Sequence, residues 1–206
     1  MDLKEKSNKN FLFSDQYIRM VMNTLEMAIK QGNPPVALSD NYITEQDFDD
    51  KTKYCDYRII CPLLFLFYHW MELVLKGFLL VLAKENPETK KPDIEKIRHH
   101  NIIELLKQFK ENYPNEKDII NFFEKYIEEN NMPSFLKVFF DKNKLSVKNY
   151  YIFFRYPLDN NFDITCDYNS IKYTHKNGLI FFKDLLKDID SNLVPIVKLG
   201  NRISDQ

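Results

Sequence analysis

Glycine is nearly missing from this chain. Four residues in 206 are Gly, too few for a protein rich in tight hairpins or for a backbone loop that cradles phosphate. Neither G-x-x-x-x-G-K-[ST] nor G-x-G-x-x-G occurs, so no common nucleotide-cofactor motif is present. Cysteine is scarce too. Cys55, Cys61 and Cys166 show no C-x-x-C spacing. An odd number without a secretory leader reads as buried free thiols, not as disulfides or a zinc site. The start, MDLKEKSNKN, is charged and no apolar signal core follows it, so a cytosolic location is expected. An excess of one charge is also lacking: 29 Lys plus Arg stand against 30 Asp plus Glu, a net charge of -1. Proteins built to hold long duplex nucleic acid usually carry a basic excess. That class is disfavoured, and only a local basic patch stays open.

What the chain does have is a long apolar run, YRIICPLLFLFYHWMELVLKGFLLVLAK, at residues 57–84. From Ile59 to Ala83 only His69, Glu72 and Lys76 are strongly polar. An α-helix turns about 100° per residue, so these three fall within about 60° on one stripe. A helix apolar nearly all round is buried. This one is long enough to span a bilayer, but three ionisable groups near its middle are costly in lipid. A core helix starting near Pro62 is expected, and no membrane partner. An unpaired buried charge is strongly destabilising, so the stripe demands partners.

Around it the pattern is helical. Residues 1–13 read as a frayed start. Ser14 or Asp15 caps a helix to about Gln31, ended by Gly32-Asn33-Pro34-Pro35. Residues 36–55 are acidic and irregular, either a surface loop or a short helix near 44–52. A polar loop fits 86–98. Apolar spacing predicts helices over 99–113 and 116–130, while 134–147 is ambiguous. In NYYIFFRYPLDNNFDITCDY, residues 149–168, aromatic and β-branched residues flank a Pro-Leu-Asp-Asn-Asn turn, which predicts a β-hairpin or two extended arms. A last helix fits 177–192, and 193–206 reads as a loose tail. The sum is an all-α single domain of four to five main helices with a small extended or β-hairpin insert before the last.

Three groups could carry chemistry. The spacing of His69, Glu72 and Lys76 lets one ligand or partner helix touch all three; Glu72 and Lys76 also make an i, i+4 pair. The plainer alternative is a buried polar anchor that fixes helix docking. His99-His100 opens the next helix, and His100 beside His69 would serve as a general base or, with Glu72, as a zinc ligand. No H-E-x-x-H is present, so neither a metal nor another cofactor is expected. Arg155 lies among Tyr150, Tyr151, Phe153, Phe154 and Tyr156 and needs a carboxylate, Glu72 being the best candidate by character. The alternative is an Arg in a cleft that binds phosphate, with Tyr150 or Tyr156 stacking a base.

These residues resemble a family. FYHWMELVLKGFLL is similar to the first core helix of HEPN-type proteins, HHNIIELL to their second helix, and FFRYPLD to a segment before the last helix in some bacterial branches. The resemblance covers about residues 57–190. It implies an all-α up-and-down bundle, often a homodimer with its site at the dimer cleft. Many members are metal-independent ribonucleases of toxin–antitoxin, phage-defence or stress systems, with Arg followed four to six residues later by His. Here no His stands at that spacing after Arg19, Arg58, Arg98, Arg155 or Arg202. The resemblance therefore implies a non-catalytic member that binds a nucleotide, RNA or a protein partner. The second implication is a ribonuclease with a rearranged site of His69, Glu72, His100 and Arg155. A non-catalytic scaffold is the third reading.

Overall fold

The computed structural model describes residues 3–34, 43–85, 92–156, 158 and 166–204. It is an all-α helical bundle in which 79% of the described residues are helical. In chain order come α1 (Leu3–Gln31), α2 (Glu45–Thr52), α3 (Asp56–Glu85), α4 (Ile94–Arg98), α5 (Ile102–Asn112), α6 (Lys117–Ile127), α7 (Ser134–Asn143), α8 (Tyr150–Phe153) and α9 (Lys176–Ser204). Short 3-10 turns at Val147–Asn149 and Tyr168–Ser170 lead into α8 and towards α9.

α3 is the central element. The segment Asp56–Ala83 is long and apolar enough to cross a membrane by length and composition, but 72% of the residues in its 18-residue apolar stretch are buried inside the protein. It starts ahead of the expected position, so Pro62 falls inside the helix. A proline there removes one intrahelical bond. The carbonyl left over belongs to Arg58, an exposed residue at the edge of the fold.

α1 lies antiparallel on α3. Ser7 Oγ donates to the Gly77 carbonyl at 2.8 Å, Tyr17 packs edge-on against His69, and Gln31 Oε1 accepts from the Tyr54 amide at 2.7 Å. The helix begins at Leu3, so residues 3–13 are not frayed. Their anchors are Ser7 and Phe11, and Phe11 sits on Gly77, where a Cβ would lie 2.7 Å from its ring. Only glycine permits that approach.

α9 runs parallel to α3 and fills the other side of α1. It extends to Ser204, so the expected tail is helical. Ile189, Ile196, Leu199 and Ile203 are all buried and continue one apolar face through Pro195.

A buried knot ties the three long helices together at one end. Asp56 accepts from the Tyr173 amide at 2.8 Å, and from the Thr174 amide and hydroxyl at 2.7 Å each. Asn33 donates to Asp56 at 3.1 Å and to the His175 carbonyl at 2.9 Å. Asn33, Tyr173 and His175 all take positive φ, a strained state that these side-chain bonds hold in place.

Elsewhere the expected helices appear with shifted ends. α2 realises the helical option for 44–52, nucleated by a capping box between Thr44 and Asp47. The 86–98 stretch contains α4, and α7 settles the ambiguous 134–147 region, stopping at Lys144 in the left-handed conformation. The extended insert is a correction. No strand occurs among the described residues. Asn149 closes a 3-10 turn and Tyr150–Phe153 is a helical turn, because Tyr150, Phe153 and Phe154 are the buried members of the run. That is spacing i, i+3, i+4, the helical period and not the strand period of two. The rest of the insert, 157 and 159–165, lies outside the described residues, as do 35–42 and 86–91.

Candidate functional site

The site is built from α3, the turn before α5 and the start of α8. Glu72 faces inward from the middle of α3 with 1% of its side chain exposed. Three groups converge on its carboxylate. Lys76 Nζ, one turn along the same helix, lies 2.7 Å from Oε1. Tyr150 donates its hydroxyl to Oε2 at 2.5 Å. His100 Nδ1 lies 2.9 Å from Oε1 and 3.2 Å from Oε2. A carboxylate only accepts, so His100 carries its proton on Nδ1 in this contact. Its Nε2 is left for an outside partner. The fourth member is His69, whose Nδ1 is 3.3 Å from the Tyr150 oxygen. The Tyr150 proton points at Glu72, so His69 is the donor there.

His100 stands in place because α5 does not include it. Asn101 is the N-cap, its side chain accepting from the Glu104 amide, and His100 precedes the cap. Its ring packs on Tyr151 with centroids 4.9 Å apart and keeps 53% of its side chain exposed. His69 instead sits between Phe65, stacked at 5.7 Å, and Tyr17, edge-on at 4.8 Å.

The electrostatics follow from this packing. Burial pushes the Glu72 carboxyl upward, but the Lys76 charge, the hydrogen bonds from Lys76 and Tyr150 and the charge of His100 outweigh it and hold the group below its ordinary value. Burial pushes the His69 imidazole down; the charges of His100, Lys76 and Arg155 act in the same direction against the pull of Glu72. His69 is therefore neutral at pH 7. Burial and the Glu72 charge drive the Tyr150 hydroxyl strongly up, so it remains a donor.

Residues brought together are thus His69, Glu72, Lys76, His100 and Tyr150. Two expectations need correction. Arg155 does not pair with Glu72: it is exposed, its guanidinium lies 5.1 Å from the Tyr156 ring centre, and it acts on His69 only through its charge. Glu72 is already filled by nearer donors. Tyr150 cannot stack a base, since it is fully buried. Tyr156 is 49% exposed and lies against Arg155. The zinc option has no support in the geometry. The Glu72 oxygens and His100 Nδ1 bind one another, and no cluster of three metal-ligating side chains occurs among the described residues.

Sequence reasoning missed the rim. A surface depression of about 340 Å³ opens over His100, lined by Arg98, His99, Lys148, Asn149 and Tyr151. Lys148 and Tyr151 flank Tyr150 in the sequence, and the helical period of the NYYIFF run was the signal that would have set them outward. The depression joins two cationic side chains, Arg98 and Lys148, and two histidines to one half-buried aromatic ring, and no carboxylate is among its lining residues. Such a surface favours a ligand with negative charge and a planar group. Compared with known proteins, the chain matches no family model, no curated protein and no solved structure.

Proposed function

We propose that this is a HEPN-like helical protein that binds single-stranded RNA at the depression over His100. One observation carries the reading. A buried, charged Glu72 orients a half-exposed His100 at the floor of a cationic, aromatic rim. Stability alone gives no reason to leave that ring open. Support for the HEPN likeness comes from two of the motifs, FYHWMELVLKGFLL and HHNIIELL, which are apart in sequence and meet at Glu72 through Lys76 and His100. FFRYPLD does not reach Glu72, whose remaining donor, Tyr150, stands ahead of that motif. Lys148 and Arg98 contact phosphates, Tyr151 offers its ring to a base, and His100 Nε2 bonds whatever lies above it.

The test is binding of a labelled, unstructured RNA across a salt series. Removing one phosphate contact lowers the slope of log affinity against log salt by about one. Lys148→Ala is expected to show that reduced slope and weaker binding to every sequence. Unchanged affinity and slope would sink the assignment.

A second reading is metal-independent RNA cleavage, favoured by the carboxylate on His100 Nδ1. That contact fixes the tautomer of the ring and presents Nε2 for proton transfer. His100 would accept the proton of a ribose 2′-hydroxyl as the oxygen attacks the neighbouring phosphorus. The P–O5′ bond then breaks to leave a 2′,3′-cyclic phosphate, and the departing 5′-oxygen takes a proton from water to become a 5′-hydroxyl. Cleavage in EDTA that disappears in His100→Ala would establish it.

A further inference from the structure

The basic surface does not end at His100. Arg98 also lines a second depression, of about 510 Å³, between the N-terminal half of α1 and α4. Lys76 lines it as well, with its Nζ bonded to Glu72 behind. The two depressions therefore share Arg98 directly, and the buried carboxylate links their other members. Lys6 and Lys9 complete a set of four cations, and no carboxylate is among the lining residues. The floor is apolar, with Leu80 and Ile97 buried and Phe13 left 52% exposed.

Two acids stand nearby, each in an exposed pair. Glu5 lies 3.3 Å from Lys9 and Glu95 lies 2.9 Å from Arg98, with all four side chains more than half exposed. Pairs of this kind are weak and give way to a phosphate. An aromatic ring on an apolar floor, edged by cations of one sign, matches a base with its phosphates on either side. Continuity through Arg98 makes one strand the natural occupant of both depressions.

We propose that RNA held over His100 continues past Arg98 onto α1, where Phe13 stacks a base and Lys6 and Lys9 bind phosphates. The inference rests on the RNA reading of the His100 site. It adds the direction of the strand and a second binding region.

The experiment measures binding of unstructured RNAs about three and about eight nucleotides long, with sedimentation of each protein alongside. The intact chain is expected to hold the longer RNA at least about tenfold more tightly, the effect of one stacked base. Phe13→Ala and the double variant Lys6→Gln, Lys9→Gln are expected to lose that gain and keep the affinity for the short RNA. Retained short-RNA binding also shows that each variant is folded. A length gain that is absent, or that survives both variants, overturns the extension and leaves the His100 site standing. Failure of both RNAs to bind overturns both. A Phe13→Ala variant that sediments more slowly would mean that a second copy of the chain covers the groove, which also overturns the proposal.

Discussion

At Glu72 two opposing effects meet inside one carboxylate. Burial disfavours its charge, and three donors restore it. The sign of the pH dependence follows. Glu72 and His69 both have folded-state values below their ordinary 4.5 and 6.5, so the unfolded chain binds the extra protons first. Stability is therefore complete above 6.5, begins to fall below that value through His69, and falls again below 4.5 through Glu72. Urea unfolding at a series of pH values is expected to show both declines. Glu72→Gln is expected to lose about 3 kcal/mol at pH 7, because it leaves the largely covered Lys76 ammonium, 13% exposed, without its carboxylate, and to flatten the lower decline. A Gln variant with wild-type midpoints would contradict the ion-pair reading. His69, Glu72 and Lys76 were legible at this scale, because polar residues in an apolar helix must find partners, and His100 was legible only as a histidine ahead of an apolar helical run. That Tyr150 supplies the hydrogen bond assigned to Arg155 was not. Arg155 and Tyr150 both lie in one aromatic run, and only the helical turn of α8 decides which of them faces inward.

At the scale of elements, the helices read well and their ends did not. Length and apolar spacing mark α3, α5 and α6. The extra turns of α1 and α9 depend on partners distant in sequence: Phe11 needs Gly77, and Ile196, Leu199 and Ile203 need a core to enter. Asp56, Asn33 and Thr174 are the same kind of case, since nothing local announces that 33, 56 and 174 will meet. The glycines give a direct test of these joints. A Cβ at Gly178 would lie 2.5 Å from Thr174 Oγ1 and 2.6 Å from Asn33 Nδ2, and one at Gly77 would enter the Phe11 ring, whereas Gly200 has nothing within 4 Å. Gly77→Ala and Gly178→Ala are expected to destabilise by about 1–3 kcal/mol through overpacking. Gly200→Ala is expected to stabilise by up to about 1 kcal/mol through helix propensity. Thermal unfolding of the three variants separates them, and equal shifts would contradict the packing described for α1 and α9.

At the scale of the whole molecule, charge is arranged unevenly in a chain whose net charge is -1. The depressions over His100 and beside Phe13 draw on Arg98, Lys148, Lys6, Lys9 and Lys76 with no carboxylate among their lining residues. Composition hid this, because balanced totals say nothing about distribution. The bundle packs α3 among α1, α5 and α9, so Glu72 presents His100 from the middle of the core. The measurement that bears most directly on that role pairs RNA affinity with urea unfolding in His100→Ala. Half its side chain is exposed, and Lys76 and Tyr150 still satisfy Glu72 without it. The expected result is a loss of about tenfold or more in RNA affinity with a stability change within about 1 kcal/mol. A variant that unfolds far more easily yet binds RNA as before would show that His100 only ties α5 to α3, and would contradict the assignment of this site to a ligand.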